Sequence, residues 1–78
     1  MNILISNLNS MTTATHLSNL FMKFGLIESV KIIRDNVNGH SSGVGYIQMN
    51  MPSGAVAIHE LNNIKFMNFY IEVAEMPV

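Results

Sequence analysis

The side chains that could carry out chemistry in this chain are few and widely separated. No base stands beside a nucleophile and no two carboxylates form a general acid–base pair, because the acids fall on different predicted elements: Glu28, Asp35, Glu60, Glu72 and Glu75. The histidines, His16, His40 and His59, lack the i, i+4 spacing of a helical metal site, and the chain has no cysteine. We therefore predict no enzyme activity, no cofactor and no metal site.

The stretch Ser42–Met49, which reads Ser-Gly-Val-Gly-Tyr-Ile-Gln-Met, has the residue alternation of a central strand. Val44, Tyr46 and Gln48 project to one face of such a strand, and the residues between them project to the other. The two glycines remove side chains where another group must approach the backbone. On residue type alone, Tyr46 is an ordinary half-buried strand tyrosine.

Strand-like and helix-like patterns alternate along the rest of the chain. Strands are predicted over Asn2–Leu8, Leu26–Asp35, Ser42–Met49 and Phe69–Ala74. Apolar or small residues at i, i+3, i+4 and i+7 predict two helices, one through Leu17, Leu20, Phe21 and Phe24, the other through Gly54, Ala57, Ile58 and Leu61. The element order is β-α-β-β-α-β.

Turn and cap residues separate these elements. Thr12 or Thr13 is the predicted N-cap of the first helix, and Gly25 the left-handed residue that ends it. Asn38-Gly39 predicts a hairpin into the central strand. Pro52 suits the first position of the second helix, which is predicted to stop near Asn62-Asn63.

Two helices cover only one face of a four-stranded antiparallel sheet, so the residues of the other face determine function. Alternation assigns these residues to the covered face: Ile3, Ile5, Leu8, Ile47, Met49, Ile71 and Val73. The predicted open face contains Leu4, Ser6, Lys31, Ile33, Val44, Tyr46, Gln48 and Tyr70.

The central stretch resembles the longer RNP motif of the RNA recognition motif (RRM) family. The hexamer Ile3–Leu8 is similar to the shorter RNP motif, with Asn7 and Leu8 in place. The first helix is similar to the family's Leu-x-x-x-Phe-x-x-Phe-Gly in Leu17, Phe21, Phe24 and Gly25. The resemblance implies one α+β, ferredoxin-like domain over residues 1–78, with a four-stranded antiparallel sheet and two helices on one face.

The resemblance also implies a binding site for single-stranded RNA on the open face, because RRM aromatics stack bases. Tyr46 matches a stacking position, Leu4 and Val44 occupy the two other aromatic positions without rings, and Ser42 stands where the family has a basic residue. The predicted RNA contacts are Tyr46, Val44, Leu4, Gln48, Lys31, Arg34, Tyr70 and Asn7. Two absent platforms lower the expected affinity by roughly 2–6 kcal/mol.

A protein-interaction role on the same scaffold is the alternative. In that role a partner, or a second copy of the chain, covers an exposed apolar patch formed by Leu4, Ile33, Val44, Tyr46 and Tyr70. The aliphatic residues at two motif positions and the lack of a basic cluster favour this alternative, whereas Tyr46 and the family favour RNA.

Composition limits the remaining classes. A hydrophobic fraction of 49% and a charged fraction of 12% are those of a globular chain, and no apolar run approaches the roughly 20 residues that span a bilayer. The net charge of −1 argues against strong non-specific attraction to nucleic acid. The first residues do not form a signal peptide, so we expect a cytoplasmic location.

Overall fold

The structure is a computed structural model that describes residues 1–77. Its strands are, in chain order, β1 (Asn2–Ser6), β2 (Ile27–Arg34), β3 (Ser41–Met49), β4 (Lys65–Phe66), β5 (Phe69–Tyr70) and β6 (Glu72–Glu75). The main sheet is antiparallel with the order β2-β3-β1-β6, so the first and third strands lie side by side at its centre, as predicted. The strands β4 and β5 form a separate hairpin.

Both helices begin at a side-chain cap. In α1 (Ala14–Phe21), the hydroxyl of Thr13 accepts a hydrogen bond from the backbone N–H of His16 at 3.2 Å, and His16 Nδ1 accepts from the N–H of Thr13 at 3.0 Å. In α2 (Met51–Leu61), Asn50 Oδ1 accepts from the N–H of Ser53 at 3.0 Å. Pro52 is the second helical residue of α2 rather than the first. A 3₁₀ turn, Met22–Phe24, continues α1.

The helices lie on the same face of the main sheet. A Cβ placed on Gly45 of β3 would lie 2.5 Å from Leu17 Cδ1 of α1, and one on Gly54 of α2 would lie 3.4 Å from Ile3 Cδ1 of β1. The residues predicted to be covered are all buried: Ile3, Ile5, Leu8, Ile47, Met49, Ile71 and Val73. Together with Leu17, Phe21, Ala57 and Leu61 they form the core.

Gly25 ends the first helical segment for a different reason from the one predicted. Its φ of 160° is extended backbone, so the prediction of a left-handed residue there is wrong. The constraint is space, because a Cβ at this position would come 2.6 Å from the Cβ of Ser53 in α2 and closer still to its hydroxyl. Gly25 therefore allows close approach between the turn after α1 and the start of α2.

The predicted strand Phe69–Ala74 is wrong in its extent. Phe69 and Tyr70 pair with Phe66 and Lys65 in the β4–β5 hairpin, and only the segment from Glu72 onward pairs with β1 in the main sheet. The hairpin turn, Met67-Asn68, has φ values of 50° and 73°, the left-handed pair that suits the twist of a two-residue β-turn. The chain thus makes an additional hairpin before it enters the sheet.

Across residues 1–77, no helix combines the length and the apolar character that crossing a membrane requires.

Candidate nucleic-acid interface

The uncovered face of the main sheet presents three rows of side chains that cross its strands. The middle row runs from Ala74 on β6 through Leu4 on β1 and Tyr46 on β3 to Lys31 on β2. One flanking row consists of Asn2, Gln48 and Ser29, and the other includes Val44 paired with Ile33. The alternation in the sequence therefore placed Leu4, Val44, Tyr46, Gln48 and Lys31 correctly on one face.

Tyr46 occupies the centre of this face and is half-buried. Leu4 is its register partner on β1, and Lys31 is its register partner on β2. Its hydroxyl donates a hydrogen bond to Asn2 Oδ1 at 2.9 Å, which fixes the direction of the ring along the sheet. A ring held in this way by its neighbours is a rigid platform for a planar ligand.

A concavity of about 520 Å³ opens beside the ring of Tyr46. It is lined by Ser29, Val30, Lys31, Ile33, Tyr46 and Met76. Met76 follows β6, and its backbone N–H donates to the carbonyl of Asn2 at 2.8 Å, so the chain after the last strand stays beside the sheet. The concavity thus combines an aromatic wall, an apolar wall and a cationic group.

Charge on this face is sparse and divided between its edges. Within residues 1–77, the charges in the rows are Lys31 on edge strand β2 and Glu72 on edge strand β6. Arg34 lies at the end of β2, where its Nη1 donates to the carbonyl of Gly39 in the β2–β3 loop at 3.5 Å. Asp35 follows Arg34 and accepts from the N–H groups of Val37 and Asn38 in the same loop, so Lys31 is the positive group on the face itself.

A β-bulge interrupts the pairing of β2 with β3 at the start of the central stretch. Ile33 pairs with Val44 and Arg34 with Ser41, which leaves Ser42 and Gly43 without partners on β2. Ser42 instead donates from its hydroxyl to the carbonyl of Ile33 at 3.1 Å. The position where the family has a basic side chain therefore holds a short residue bonded to backbone.

Gly43 in the bulge has a φ of +80°, a conformation that favours glycine. Its carbonyl accepts from the N–H of Leu8 at 2.9 Å, which links β3 to the segment that follows β1. A Cβ at this position would lie 3.1 Å from the carbonyl oxygen of Leu8, so both space and backbone conformation require glycine.

Three of the predicted contact residues lie outside the three rows: Arg34, Asn7 and Tyr70. Tyr70 belongs to β5, so its placement on the last strand of the main sheet is wrong, although 63% of it is exposed. Asn7, at φ 60°, donates from Nδ2 to the carbonyl of Tyr70 at 2.8 Å. Asn9 likewise donates to the carbonyl of Met67 at 3.0 Å, so this loop holds the hairpin beside the edge of the face.

The residues of this face that were not among the predicted contacts include Asn2, Ser29 and Met76. Asn2 and Ser29 were missed because both are short polar residues near strand ends. Asn2 lies two residues before Leu4 on the same strand, so strand alternation could have placed it on the same face. Met76 lies beyond the predicted end of the last strand, and the sequence carries no signal for its position over the concavity.

No three His, Asp or Glu side chains within residues 1–77 come together in a group that could hold a metal ion.

The family model for the RNA recognition motif matches residues 3–72, and the chain belongs to this family. RNA recognition motifs are RNA-binding, non-catalytic domains. The fold described above is the ferredoxin-like fold of the family, as predicted.

Several solved structures are closely similar to this chain. The crystal structure of an RNA-binding protein, PG1, is 31% identical, with a TM-score of 0.95 over 97% of this chain and 93% of that one. A complex of Sex-lethal protein with RNA is 28% identical, with a TM-score of 0.89 over 96% of this chain and 47% of that one. RNA recognition domains 1 and 2 of Sex-lethal from Drosophila melanogaster are 27% identical, with a TM-score of 0.90 over 99% of this chain and 50% of that one.

Proposed function

We propose that this chain binds single-stranded RNA on the open face of its sheet, with one base stacked on Tyr46. The observation that carries the proposal is the position of this ring, at the centre of the uncovered face and fixed by its bond to Asn2. Membership of the RNA recognition motif family and the similarity to an RNA-binding protein and to a protein–RNA complex support it.

The charges suggest where the sugar–phosphate backbone runs. Lys31 and Arg34 lie along β2, whereas Glu72 lies on β6 at the opposite edge. Phosphates are therefore favoured along the β2 edge and disfavoured along the β6 edge. Tyr70, exposed on its hairpin beyond β1, remains a predicted second contact for a base, and Asn7, which holds that hairpin, remains a predicted contact as well.

The affinity of this site should be modest. Leu4 and Val44 give apolar contact to a base but no ring on which it can stack, and each absent stacking platform is worth about 1–3 kcal/mol. The net charge of −1 also provides little general attraction for a polyanion.

Removal of the ring tests the proposal directly. We expect Tyr46→Ala to weaken binding of a labelled single-stranded RNA by about 1–3 kcal/mol, measured by fluorescence anisotropy at low salt. Tyr46→Phe is the matched control, because it keeps the ring and removes only the hydroxyl that bonds to Asn2, so most of the affinity should remain. Circular dichroism of both variants confirms that the fold is retained.

RNA that fails to bind at low salt, or that binds Tyr46→Ala as tightly as the unmodified protein, would show that this face is not the RNA site.

Self-association through the same face is the alternative, and the family and the protein–RNA complex favour RNA binding over it. It would use the exposed apolar groups of the face, which are Ile33, 37% exposed, with Leu4 and Val44 half-buried beside it. A dimer of this kind depends on concentration, and Val44→Lys should convert it to a monomer without unfolding it. Sedimentation equilibrium decides the matter, since a monomer at every accessible concentration of the unmodified protein rules this alternative out.

The proposal involves no catalysis by this chain. A cytoplasmic location also remains a prediction, which imaging of a tagged protein in its own cells would test.

A further inference from the structure

Met76 lies directly after β6, at the edge of the open face. Its backbone N–H donates to the carbonyl of Asn2 at 2.8 Å, which continues the pairing of the last strand with β1 by one residue. Ala74 pairs with Leu4, so Met76, two residues further on, stands level with Asn2. Residues two apart on an extended chain point to the same face of a sheet. The side chain of Met76 therefore belongs to the open face, as that of Ala74 does.

This side chain lies across the face rather than out in solvent. Met76 is half-buried, whereas its neighbours Glu75 and Pro77 are exposed. It lines the concavity beside Tyr46, which Lys31 lines from β2. Since β1 separates β6 from β3, the backbones that carry Met76 and Tyr46 are about 10 Å apart across the sheet. Met76 consequently reaches the concavity by leaning inward over β1.

The ring of Tyr46 leans over β1 from the other side. Its hydroxyl donates to Oδ1 of Asn2, a β1 residue, at 2.9 Å. Met76 is bonded to the backbone of the same Asn2. The two side chains therefore converge over β1, and a base stacked on the ring lies within reach of the methionine.

A thioether is well suited to contact a base. The methionine side chain is unbranched and flexible, and its polarizable sulfur packs favourably against aromatic rings. Its sulfur is a weak hydrogen-bond acceptor and the side chain has no donor, so the contact depends little on the hydrogen-bonding groups of the base. Such a contact adds affinity on a face where Leu4 and Val44 provide no ring.

We propose that Met76 is a base-contacting residue, whose thioether packs against the base that is stacked on Tyr46. The inference rests on the proposed function and adds to it a contact from the segment after the last strand, outside both motif stretches. The base is held by Tyr46 from β3 and by Met76 from the β6 edge. The contributions of these two residues to RNA affinity should therefore depend on each other.

A labelled single-stranded RNA decamer of random sequence tests the inference by fluorescence anisotropy at low salt. We expect Met76→Ala to weaken binding about fivefold, the scale of burying roughly half of a methionine side chain. Met76→Leu keeps an apolar side chain of similar volume and should weaken binding by about twofold at most. Both variants retain the backbone N–H that bonds to Asn2.

Met51→Ala is the matched control. Met51 is 66% exposed at the start of α2, on the covered side of the sheet. The same substitution there should leave RNA affinity unchanged.

A double variant separates contact with the base from a general effect on the fold. In Tyr46→Ala the base is no longer held over β1, so adding Met76→Ala should weaken binding less than it does in the unmodified protein. A full fivefold loss in both backgrounds would mean that Met76 does not contact the base on Tyr46, and the inference would be wrong.

NMR of the methionine methyl groups provides a second measurement, since the chain has seven methionines. On addition of the decamer, the methyl signal of Met76 should shift in the ring-current field of the base. The methyl signal of Met51 should stay in place.

Failure of this inference is distinguishable from failure of the proposed function. If the decamer does not bind at low salt, or binds Tyr46→Ala unchanged, the proposed function is wrong and this contact with it. If Tyr46→Ala weakens binding but Met76→Ala does not, or if the Met76 methyl signal does not move, RNA binding remains and the contact is wrong. A loss in Met76→Leu as large as in Met76→Ala likewise contradicts packing against the base.

Discussion

The ring of Tyr46 is positioned by contacts from three directions. Its hydroxyl bonds to Asn2, Leu4 pairs with it from β1, and Lys31 pairs with it from β2. These contacts restrict the ring before any ligand arrives, so less conformational entropy is lost when a base stacks on it. One well-held ring can therefore support binding at a site where the family commonly uses more.

Restoring a ring at an empty motif position should strengthen RNA binding. Val44 is half-buried beside Tyr46 on the same strand face, so Val44→Phe adds a stacking surface next to the existing one. We expect a gain of about 1 kcal/mol, at the lower end of the stacking range because the new ring is not positioned by other contacts. Titration of the same RNA against both proteins measures it.

The control for this prediction is the same substitution at another surface. Val56 is 51% exposed on α2, on the covered side of the sheet, and Val56→Phe should leave RNA affinity unchanged. An equal gain from both variants would indicate non-specific attraction to an added ring rather than a platform at position 44.

The sequence predicted the composition of the face better than its hydrogen bonds. Successive side chains of a strand point to opposite faces of the sheet. This alternation alone was enough to predict that Leu4, Val44, Tyr46 and Gln48 lie on one face. Alternation cannot predict which amide a tyrosine hydroxyl will reach. Tyr46 is the register partner of Leu4, but its hydroxyl bonds to Asn2, the partner of Gln48. The hydrogen bond that holds the ring of Tyr46 therefore became visible only in the structure.

At the scale of elements, close approach between the helical segments depends on Gly25. Gly25→Ala places a Cβ 2.6 Å from Ser53 Cβ, an atom fixed to the backbone of α2 rather than the free end of a flexible side chain. We expect a loss of about 1–3 kcal/mol in the free energy of unfolding, the range for overpacked sites, measured by urea denaturation.

A second substitution identifies the cause of that loss. Ser53→Gly removes the atoms in conflict, so the double variant should be more stable than the sum of the two single effects predicts. Strict additivity would mean that Gly25 is required for some reason other than its contact with Ser53.

The elements themselves were predictable to within a few residues, apart from the hairpin of β4 and β5. The strongest sequence signals for a two-residue hairpin are Asn-Gly and Asp-Gly, and this turn is Met67-Asn68, which has no glycine. With no recognisable turn, Phe69 to Ala74 read as one strand. The break falls at Ile71, which is buried in the core and bonds through its N–H to the carbonyl of Ile64.

At the scale of the whole molecule, a near-neutral chain must attract a polyanion through a few local charges. The net charge is −1, and the cations beside the face are Lys31 on its β2 edge and Arg34 at the adjoining loop. Stacking and base-edge hydrogen bonds should consequently provide a larger share of the affinity than phosphate contacts. Binding of this kind changes little with salt concentration.

The dependence of binding on salt measures this balance. For a single strand, log K falls with log salt by about 0.7 for each phosphate neutralised, so contacts from Lys31 and Arg34 together give a slope near −1.4. Lys31→Ala should reduce its magnitude to about 0.7 and weaken binding of single-stranded RNA by a similar amount whatever its sequence. Lys23→Ala is the matched control. Lys23 lies on the 3₁₀ turn after α1, where its Nζ is 5.3 Å from the ring centre of Phe24, and its loss should leave the slope unchanged.

A slope several times steeper in the unmodified protein would require phosphate contacts beyond the β2 edge. An unchanged slope in Lys31→Ala would place the RNA backbone elsewhere.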